Sequence, residues 1–201
     1  MTAPETCAPS PDDHAPRRRA RRLSVDDWVR AALNLLVRDG VAAVRITRLC
    51  AELHVTKGSF YWHFADITGL MEAVADHWCD AQNDSMRALV ELGSMAPRER
   101  LEAMTASLVG DRSWAVETAI REWARTNVIV ADTVRRLDRL VFSVVQEALL
   151  ELGFEPAEAR MRAGALVYAC IGFLHARDSL DSLTPDEIRS TLRVITVRPD
   201  A

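Results

Sequence analysis

One short segment constrains the fold of this 201-residue chain most strongly, because its pattern predicts two short helices joined by a tight turn. The first helix is expected over residues 46–53, where apolar side chains recur on one side. His54 and Val55 form the turn, and Thr56 is a suitable N-cap for the second helix, over residues 57–64. Together these elements predict a helix-turn-helix.

A longer amphipathic helix is predicted immediately before this motif. Ser24 and Asp27, three residues apart, form a capping pattern, and Gly40 is placed to end the helix. The apolar residues between them follow helical spacing: Val25, Trp28, Val29, Ala32, Leu33 and Leu36. The N-terminal part of the chain is therefore expected to fold as three helices.

The rest of the sequence predicts only helices. The chain has eight glycines and eight prolines, few for a protein made of many short strands and turns. A fourth helix is expected from Asp66 to near Leu92, where it connects the helix-turn-helix to the remainder. Five further helices are expected over residues 97–109, 113–126, 128–152, 155–178 and 184–196. The predicted fold class is all-α.

The charge of the chain is divided unevenly. The formal net charge is −4, but residues 16–64 carry +6 and the remainder −10. Five arginines crowd into six positions before the first helix: Arg17, Arg18, Arg19, Arg21 and Arg22. Such an arm is suited to a groove of nucleic acid, although a solvated run of charges is the alternative. Residues 1–16, rich in proline and poor in large apolar side chains, are expected to be a disordered tail.

The second helix of the motif shows a division of faces that suits a DNA major groove. At about 100° per residue, Phe60 and Phe64 mark its buried side. Small or apolar groups lie opposite and hydrogen-bonding groups lie on the two borders: Gly58, Ser59 and Trp62, then Tyr61 and His63. The former suit base edges and the latter phosphates, unless Tyr61 and Trp62 are ordinary core aromatics. Lys57, the chain's only lysine, adds positive charge in the first turn.

Residues 55–64, VTKGSFYWHF, preceded by LCAEL at residues 49–53, resemble the N-terminal signature of TetR-family regulators. The resemblance implies a three-helix DNA-binding domain, a linking fourth helix, and a C-terminal helical domain that dimerises and usually binds a small-molecule inducer. The positions that resemble the family's phosphate contacts are Lys57, Tyr61 and His63. Those that match positions approaching bases are Thr56, Gly58, Ser59 and Trp62. Arg21 and Arg22 of the arm complete the predicted DNA contacts.

The resemblance divides the chain into three parts. These are a tail over residues 1–16, the arm and DNA-binding domain over residues 17–70, and a regulatory and dimerisation domain over residues 71–196. The implied protein is a homodimer that binds a pseudo-palindromic operator in double-stranded DNA. It is expected to act as a repressor that a small-molecule inducer releases from the operator.

Three positions depart from the family's usual residues. His54 stands where the family usually has glycine, at a turn position expected to need a positive φ, which histidine tolerates better than most residues. Cys50 replaces a small alanine. Ile67 replaces the lysine or arginine that binds phosphate at the start of the fourth helix. That contact is therefore expected to be absent or supplied by the arginine-rich arm.

Five large side chains of the C-terminal region are candidates for lining a ligand cavity: Met104, Trp114, Trp123, Phe142 and Tyr168. Such cavities are mostly apolar with a few polar groups, which suits an apolar or aromatic ligand. The alternative is that each of the five is a plain core residue. Nothing in the pattern identifies the ligand.

The predicted helix over residues 155–178 carries several small residues: Ala163, Gly164, Ala165, Ala169 and Gly172. Small side chains let a second helix approach closely. That second helix belongs to the same subunit or, as the resemblance favours, to a partner. In the latter case this helix and the one over residues 128–152 form a four-helix bundle across a two-fold axis.

Other classes of function have little support in the sequence. It contains no glycine-rich phosphate loop, no HExxH and no GxSxG motif. An enzyme therefore ranks behind a ligand-gated regulator and behind a regulator that is partner-gated or not gated at all. The four cysteines lack metal-ligand spacing, and neither a cofactor nor a metal is expected. The longest uncharged stretch, residues 163–174, is too short to span a membrane, and a cytoplasmic protein is expected.

Overall fold

The computed structural model describes residues 23–109, 114–176 and 184–197. These residues form nine α-helices and no strand, which confirms the all-α class. The helices are α1 (Val25–Asp39), α2 (Ile46–Glu52), α3 (Lys57–Tyr61), α4 (Ile67–Glu91), α5 (Pro97–Val109), α6 (Trp114–Ala124), α7 (Val128–Glu151), α8 (Pro156–Ala176) and α9 (Pro185–Thr196). None of these helices is long and apolar enough to cross a membrane. The predicted tail and arginine-rich arm lie outside the described residues.

Side chains cap the starts of α1, as the sequence predicts, and of α4, whereas the predicted N-cap Thr56 of α3 makes no side-chain capping hydrogen bond. The Ser24 hydroxyl accepts a hydrogen bond from the Asp27 N–H (3.2 Å), and the Asp27 carboxylate accepts one from the Ser24 N–H (2.9 Å). Asp66 caps α4 by accepting from the Gly69 N–H (3.0 Å). Gly40 ends α1 with a φ of 80°, in the left-handed region that glycine adopts without strain.

Helix α3 is shorter than the sequence pattern predicts. The pattern favours residues 57–64, but the helix ends at Tyr61. Beyond it, the Phe60 carbonyl accepts from two N–H groups, that of His63 across three residues (2.9 Å) and that of Phe64 across four (3.0 Å). The chain therefore tightens into a turn before Asp66 caps the next helix.

The first hydrophobic cluster is shared by the helix-turn-helix and the helices of the body. Trp28 and Phe60 are fully buried in it. Helices α6 and α7 contribute four buried side chains: Ile120, Trp123, Val130 and Val134. Val25, predicted on the apolar side of α1, is exposed, and Leu35 is buried instead. The domain boundary proposed at residue 70 falls inside α4, and the described core continues across it.

The second hydrophobic cluster holds α5, α7 and α8 together. Its buried members are Leu101, Val145, Ala148, Leu149, Phe154, Ala159 and Ala163. The guanidinium carbon of Arg162 lies 4.6 Å from the centre of the Phe154 ring, and Leu192 of α9 packs against the cluster. This cluster consists only of residues from the C-terminal body.

A buried arginine fixes the far end of α4. Arg100 is only 2% exposed and donates hydrogen bonds to the carbonyls of Leu92 (3.1 Å), Gly93 (2.8 Å) and Met95 (3.1 Å). The same guanidinium forms an ion pair with Glu151 at the end of α7 (2.9 Å). The three carbonyls belong to the turn that follows α4, so Arg100 holds this turn and joins it to the end of α7.

The small residues of α8 divide between two sides of the helix. Ala163 and Gly164 are buried within the protomer, so for these two the packing is within one subunit. The other three are exposed: Ala165, Ala169 and Gly172. Met161 and Tyr168 share the exposed side, at 67% and 72% exposure. This side of α8, termed the exposed α8 face, is therefore an apolar surface.

Candidate nucleic-acid interface

Helix α3 is too short to be stable alone and is anchored by aromatic side chains. Helices shorter than about 12 residues are marginal in water without tertiary contacts. The Phe60 ring packs edge-on against Trp28 of α1, with centroids 5.4 Å apart and an interplanar angle of 85°. The buried Phe64 ring lies 5.6 Å from Phe60. The predicted buried side of α3 is thus confirmed, and its other side is presented to solvent.

The side chains predicted to contact DNA lie on or beside this solvent side. Trp62 is 69% and Tyr61 57% exposed, so the alternative that both are core aromatics is wrong. Of the other five, Thr56, Lys57 and Gly58 are exposed, and Ser59 and His63 are half-buried. These seven residues form what we term the reading surface. Arg21 and Arg22 lie outside the described residues.

The fold accommodates both unusual residues near the turn. His54 has a φ of 54°, the positive value expected at the position where the family usually has glycine. Cys50 is buried, and burial raises the pKa of its thiol above the ordinary value, against an opposing effect of Lys57. The thiol is therefore neutral at pH 7 and packs as a small apolar side chain.

Two arginines near the turn are neutralised by carboxylates. Arg38 donates to Asp39 (2.8 Å) and to Glu52, and Arg48 pairs with the same two carboxylates. The hydrogen bond from Arg38 holds the pKa of Asp39 below its ordinary value. Exposed pairs of this kind contribute little to stability, because solvent screens them, but they connect the end of α1 to α2. Arg38 and Arg48 are therefore engaged within the protein.

Arg45 and Lys57 differ from these arginines. Neither is in ion-pair contact with a carboxylate of the described residues. Arg45 donates from Nε to the Ala42 carbonyl (3.2 Å). Both cations line a groove of 350 Å³, termed the flanking groove, together with Tyr61 and Ile67. Two side chains next to the reading surface are therefore cations without a carboxylate partner.

Sequence reasoning identified Lys57 but missed Arg45. The available signal is local: no acidic residue lies three or four positions from Arg45, where a helical ion pair would place it. That signal does not distinguish Arg45 from other exposed arginines. Arg38 and Arg48 pair with carboxylates of a neighbouring helix as well as of their own, so spacing along one helix does not predict which arginines are paired.

The five candidate ligand residues lie in different regions of the body. Trp123 is buried in the first cluster, and Met104 and Phe142 pack against the second. Trp114 packs edge-on against a phenylalanine of α8, with ring centroids 5.9 Å apart, and Tyr168 lies on the exposed α8 face. Their role in ligand binding stays a prediction. Among the described residues, no three His, Cys, Asp or Glu side chains are grouped so as to hold a metal ion.

The short, anchored helix α3, with cationic and polar side chains beside a tight turn, completes a helix-turn-helix, the motif by which many proteins bind DNA. Residues 29–74 match the family described as bacterial regulatory proteins, tetR family. This match covers the helix-turn-helix and the start of α4, and it confirms the resemblance of the N-terminal motif to TetR-family regulators. No curated protein matches the chain.

Solved structures extend the similarity of fold over most of the chain. A transcriptional regulator from Saccharomonospora viridis in complex with choline has a TM-score of 0.65 at 19% identity, over 85% of this chain and 93% of that chain. A TetR transcription regulator from Haloarcula marismortui has 0.61 at 16% identity, over 86% and 94%. The multidrug binding protein EbrR complexed with malachite green has 0.57 at 20% identity, over 89% and 96%. These similarities show a shared fold that includes the C-terminal body.

Proposed function

We propose that two copies of this chain repress transcription from a pseudo-palindromic DNA operator and are released when a small molecule binds the C-terminal body. The observation that carries the proposal is the reading surface, exposed to solvent while Phe60 anchors the other side of α3. A rigid scaffold that presents a helix in this way suits a major groove. The proposed parts remain residues 1–16, 17–70 and 71–196.

Within the reading surface, we assign phosphate contacts to the borders and base contacts to the centre. The phosphate contacts are Lys57, Tyr61 and His63, which fix the register without specifying sequence. The base contacts are Thr56, Gly58, Ser59 and Trp62. The arm, with Arg21 and Arg22, contributes further positive charge along the duplex.

Pairing of two protomers is supported by the exposed α8 face. Met161 and Tyr168 stand beside alanines and a glycine on this surface, an arrangement that suits close contact between two helices. Large exposed apolar side chains in a group are typical of protein interaction sites. We propose that α8 meets its copy across a two-fold axis and that α7 completes a four-helix bundle.

Selection of duplexes from random DNA tests the operator and the residue roles together. The wild-type chain is expected to select an inverted repeat with half-site centres about 34–36 Å apart, or a multiple, because one recognition helix per protomer enters each major groove. Trp62→Ala is expected to change the selected bases. Tyr61→Phe is expected to weaken binding equally on all sequences, because phosphate contacts do not specify.

Two outcomes would contradict these assignments. A monomer bound to a single half-site, detected by sedimentation of the complex, would overturn the dimer. If the selected DNA sequence changed with Tyr61→Phe but not with Trp62→Ala, the border of the reading surface would contact bases and its centre would contact phosphates.

Release by a ligand is supported by helix α6, which packs on both parts of the chain. Ile120 and Trp123 of α6 share the first cluster with Trp28 of α1. Arg121 of α6 donates two hydrogen bonds to Asp138 of α7 (2.7 and 3.0 Å). A ligand that displaces α6 would therefore move α1 and the reading surface with it.

The ligand is proposed to bind among the helices of the body, as an apolar or aromatic small molecule. The candidate contacts are Met104, Trp114, Trp123, Phe142 and Tyr168. Two structures of this fold hold small molecules, choline in one and malachite green in the other. Both compounds are therefore suitable first probes.

Calorimetry of these two compounds, and of others that raise the melting temperature, tests the gating. A ligand that releases the operator is expected to bind the operator-bound chain about 5–150-fold more weakly than the free chain, because a coupling of about 1–3 kcal/mol is reciprocal. Titration into the duplex alone corrects for compound bound to DNA. Equal affinities for every compound that binds the body would favour a regulator that is partner-gated or not gated.

A further inference from the structure

We infer that Arg45 supplies the DNA phosphate contact that Ile67 cannot make. The inference rests on the proposed DNA-binding function and adds a residue that lies outside the reading surface. The contact is placed in the flanking groove, between the start of α2, helix α3 and the start of α4.

The flanking groove has the chemistry to bind a phosphate group. Arg45, immediately before α2, and Thr47 of α2 line it, together with Lys57 and Tyr61 of α3. Two cations and two hydroxyl groups thus line an open groove of 350 Å³. Charge-assisted hydrogen bonds from Arg and Lys to phosphate are among the strong ones, and the planar guanidinium can donate two in parallel.

The pairing of charges singles out Arg45 among the described cations of this region. Five cationic side chains lie between residues 23 and 64. Three of them, Arg30, Arg38 and Arg48, pair with carboxylates of the protein. The two in the flanking groove have no such partner among the described residues. An approaching phosphate would therefore meet them without having to displace a carboxylate.

Ile67 explains why the groove needs a second cation. Its side chain lies at the start of α4, is half-buried and packs against the first cluster, so it offers no donor to an anion. Arg45 lines the same groove and supplies donors that Ile67 lacks. The bound group is a backbone phosphate of the operator, because the groove adjoins Tyr61 at the border of the reading surface, where the phosphates of a major groove lie.

The salt dependence of operator binding by the full-length chain tests this contact. The logarithm of the binding constant falls linearly with the logarithm of salt concentration, with a slope of about −0.9 for each phosphate contact. Arg45→Gln is therefore expected to make the slope shallower by about 0.9 per protomer, or about 1.8 per dimer. Affinity should fall equally on all sequences, and Arg45→Lys, which keeps the charge, should retain most of the wild-type slope.

Arg48→Gln is the matched control. Arg48 is three residues from Arg45 in sequence and exposed like it, but it is paired with Asp39 and Glu52. Its removal should change the slope by less than half of the Arg45→Gln effect. Melting temperatures of both variants, measured by circular dichroism, verify that each is folded.

A rescue variant separates a local contact from a general loss of charge. Ile67→Lys, introduced into Arg45→Gln, places a cation at another position that lines the same groove and should restore the slope. An unchanged slope in Arg45→Gln would overturn the inference. So would a decrease in slope that Arg48→Gln reproduces in full.

Two further outcomes distinguish failure of the Arg45 inference from failure of the proposed function. A shallower slope that appears only when Arg21 and Arg22 are replaced would give the missing contact to the arm and overturn the role of Arg45. A wild-type chain that binds no duplex from the selection would overturn the proposed function itself, with the inference that rests on it.

Discussion

Replacing Phe60 with alanine is expected to lower the free energy of unfolding by about 3–5 kcal/mol and to abolish operator binding. The ring is fully buried and packs edge-on against Trp28. Because α3 has only five residues, its backbone hydrogen bonds cannot hold it once the anchor is lost. Urea denaturation measures the first effect, and fluorescence anisotropy with a selected duplex measures the second.

Phe154→Ala is the control, since it makes the same truncation in the second cluster. It should lower the free energy of unfolding by a similar amount and, at a temperature where the variant is folded, leave operator binding near the wild-type value. Equal loss of binding in both variants would show that Phe60 acts only through global stability. Unchanged stability in Phe60→Ala would contradict its place in the core.

Replacing Arg100 with alanine is expected to lower the free energy of unfolding by about 1–3 kcal/mol, because it removes the donor of buried hydrogen bonds. The carbonyls of Leu92, Gly93 and Met95, in the turn after α4, each lose a hydrogen bond, and Glu151, which is 48% exposed, loses its ion-pair partner. Urea denaturation measures the change, with all variants at one protomer concentration because association would contribute to stability.

Three variants separate the contributions to this effect. Arg98→Ala, an exposed change on the same helix, should stay within about 0.5 kcal/mol of the wild type. Glu151→Gln should cost about 1 kcal/mol, because the amide oxygen still accepts a hydrogen bond. Arg100→Lys should lie between Glu151→Gln and Arg100→Ala, since lysine keeps the charge but loses the planar fork of donors. If Arg100→Ala were as stable as Arg98→Ala, the buried arginine would have no role at the end of α4.

Most helix boundaries could be predicted from sequence, because caps and apolar spacing act over a few residues. For example, the sequence pattern predicts a helix over residues 97–109, and α5 spans Pro97–Val109. The end of α3 was not predictable in this way. It depends on how Phe60 and Phe64 pack against α1 and on the room left before Asp66, which are contacts between separate segments.

In the candidate site too, features set by local sequence could be predicted and features set by contacts between segments could not. The buried and exposed sides of α3 follow from helical periodicity, so the exposure of Trp62 and Tyr61 could be predicted. Which arginines remain without carboxylate partners could not, because Arg38 reaches Glu52, fourteen residues along the chain. Which hydrophobic cluster a large side chain joins also depends on contacts between distant segments. Nothing near Trp123 in the sequence indicates that it packs with the helix-turn-helix.

The first cluster contains residues of the helix-turn-helix and of helices α6 and α7. This limits which segments of the chain can be removed or exchanged without loss of folding. A fragment cut within α4 would expose the apolar surfaces that Ile120 and Val130 cover, so the DNA-binding half is not an independent module. A chimera with a different effector domain would have to reproduce those two surfaces to fold. Substitutions around the second cluster are less constrained in this way, because its described members include no residue of the helix-turn-helix.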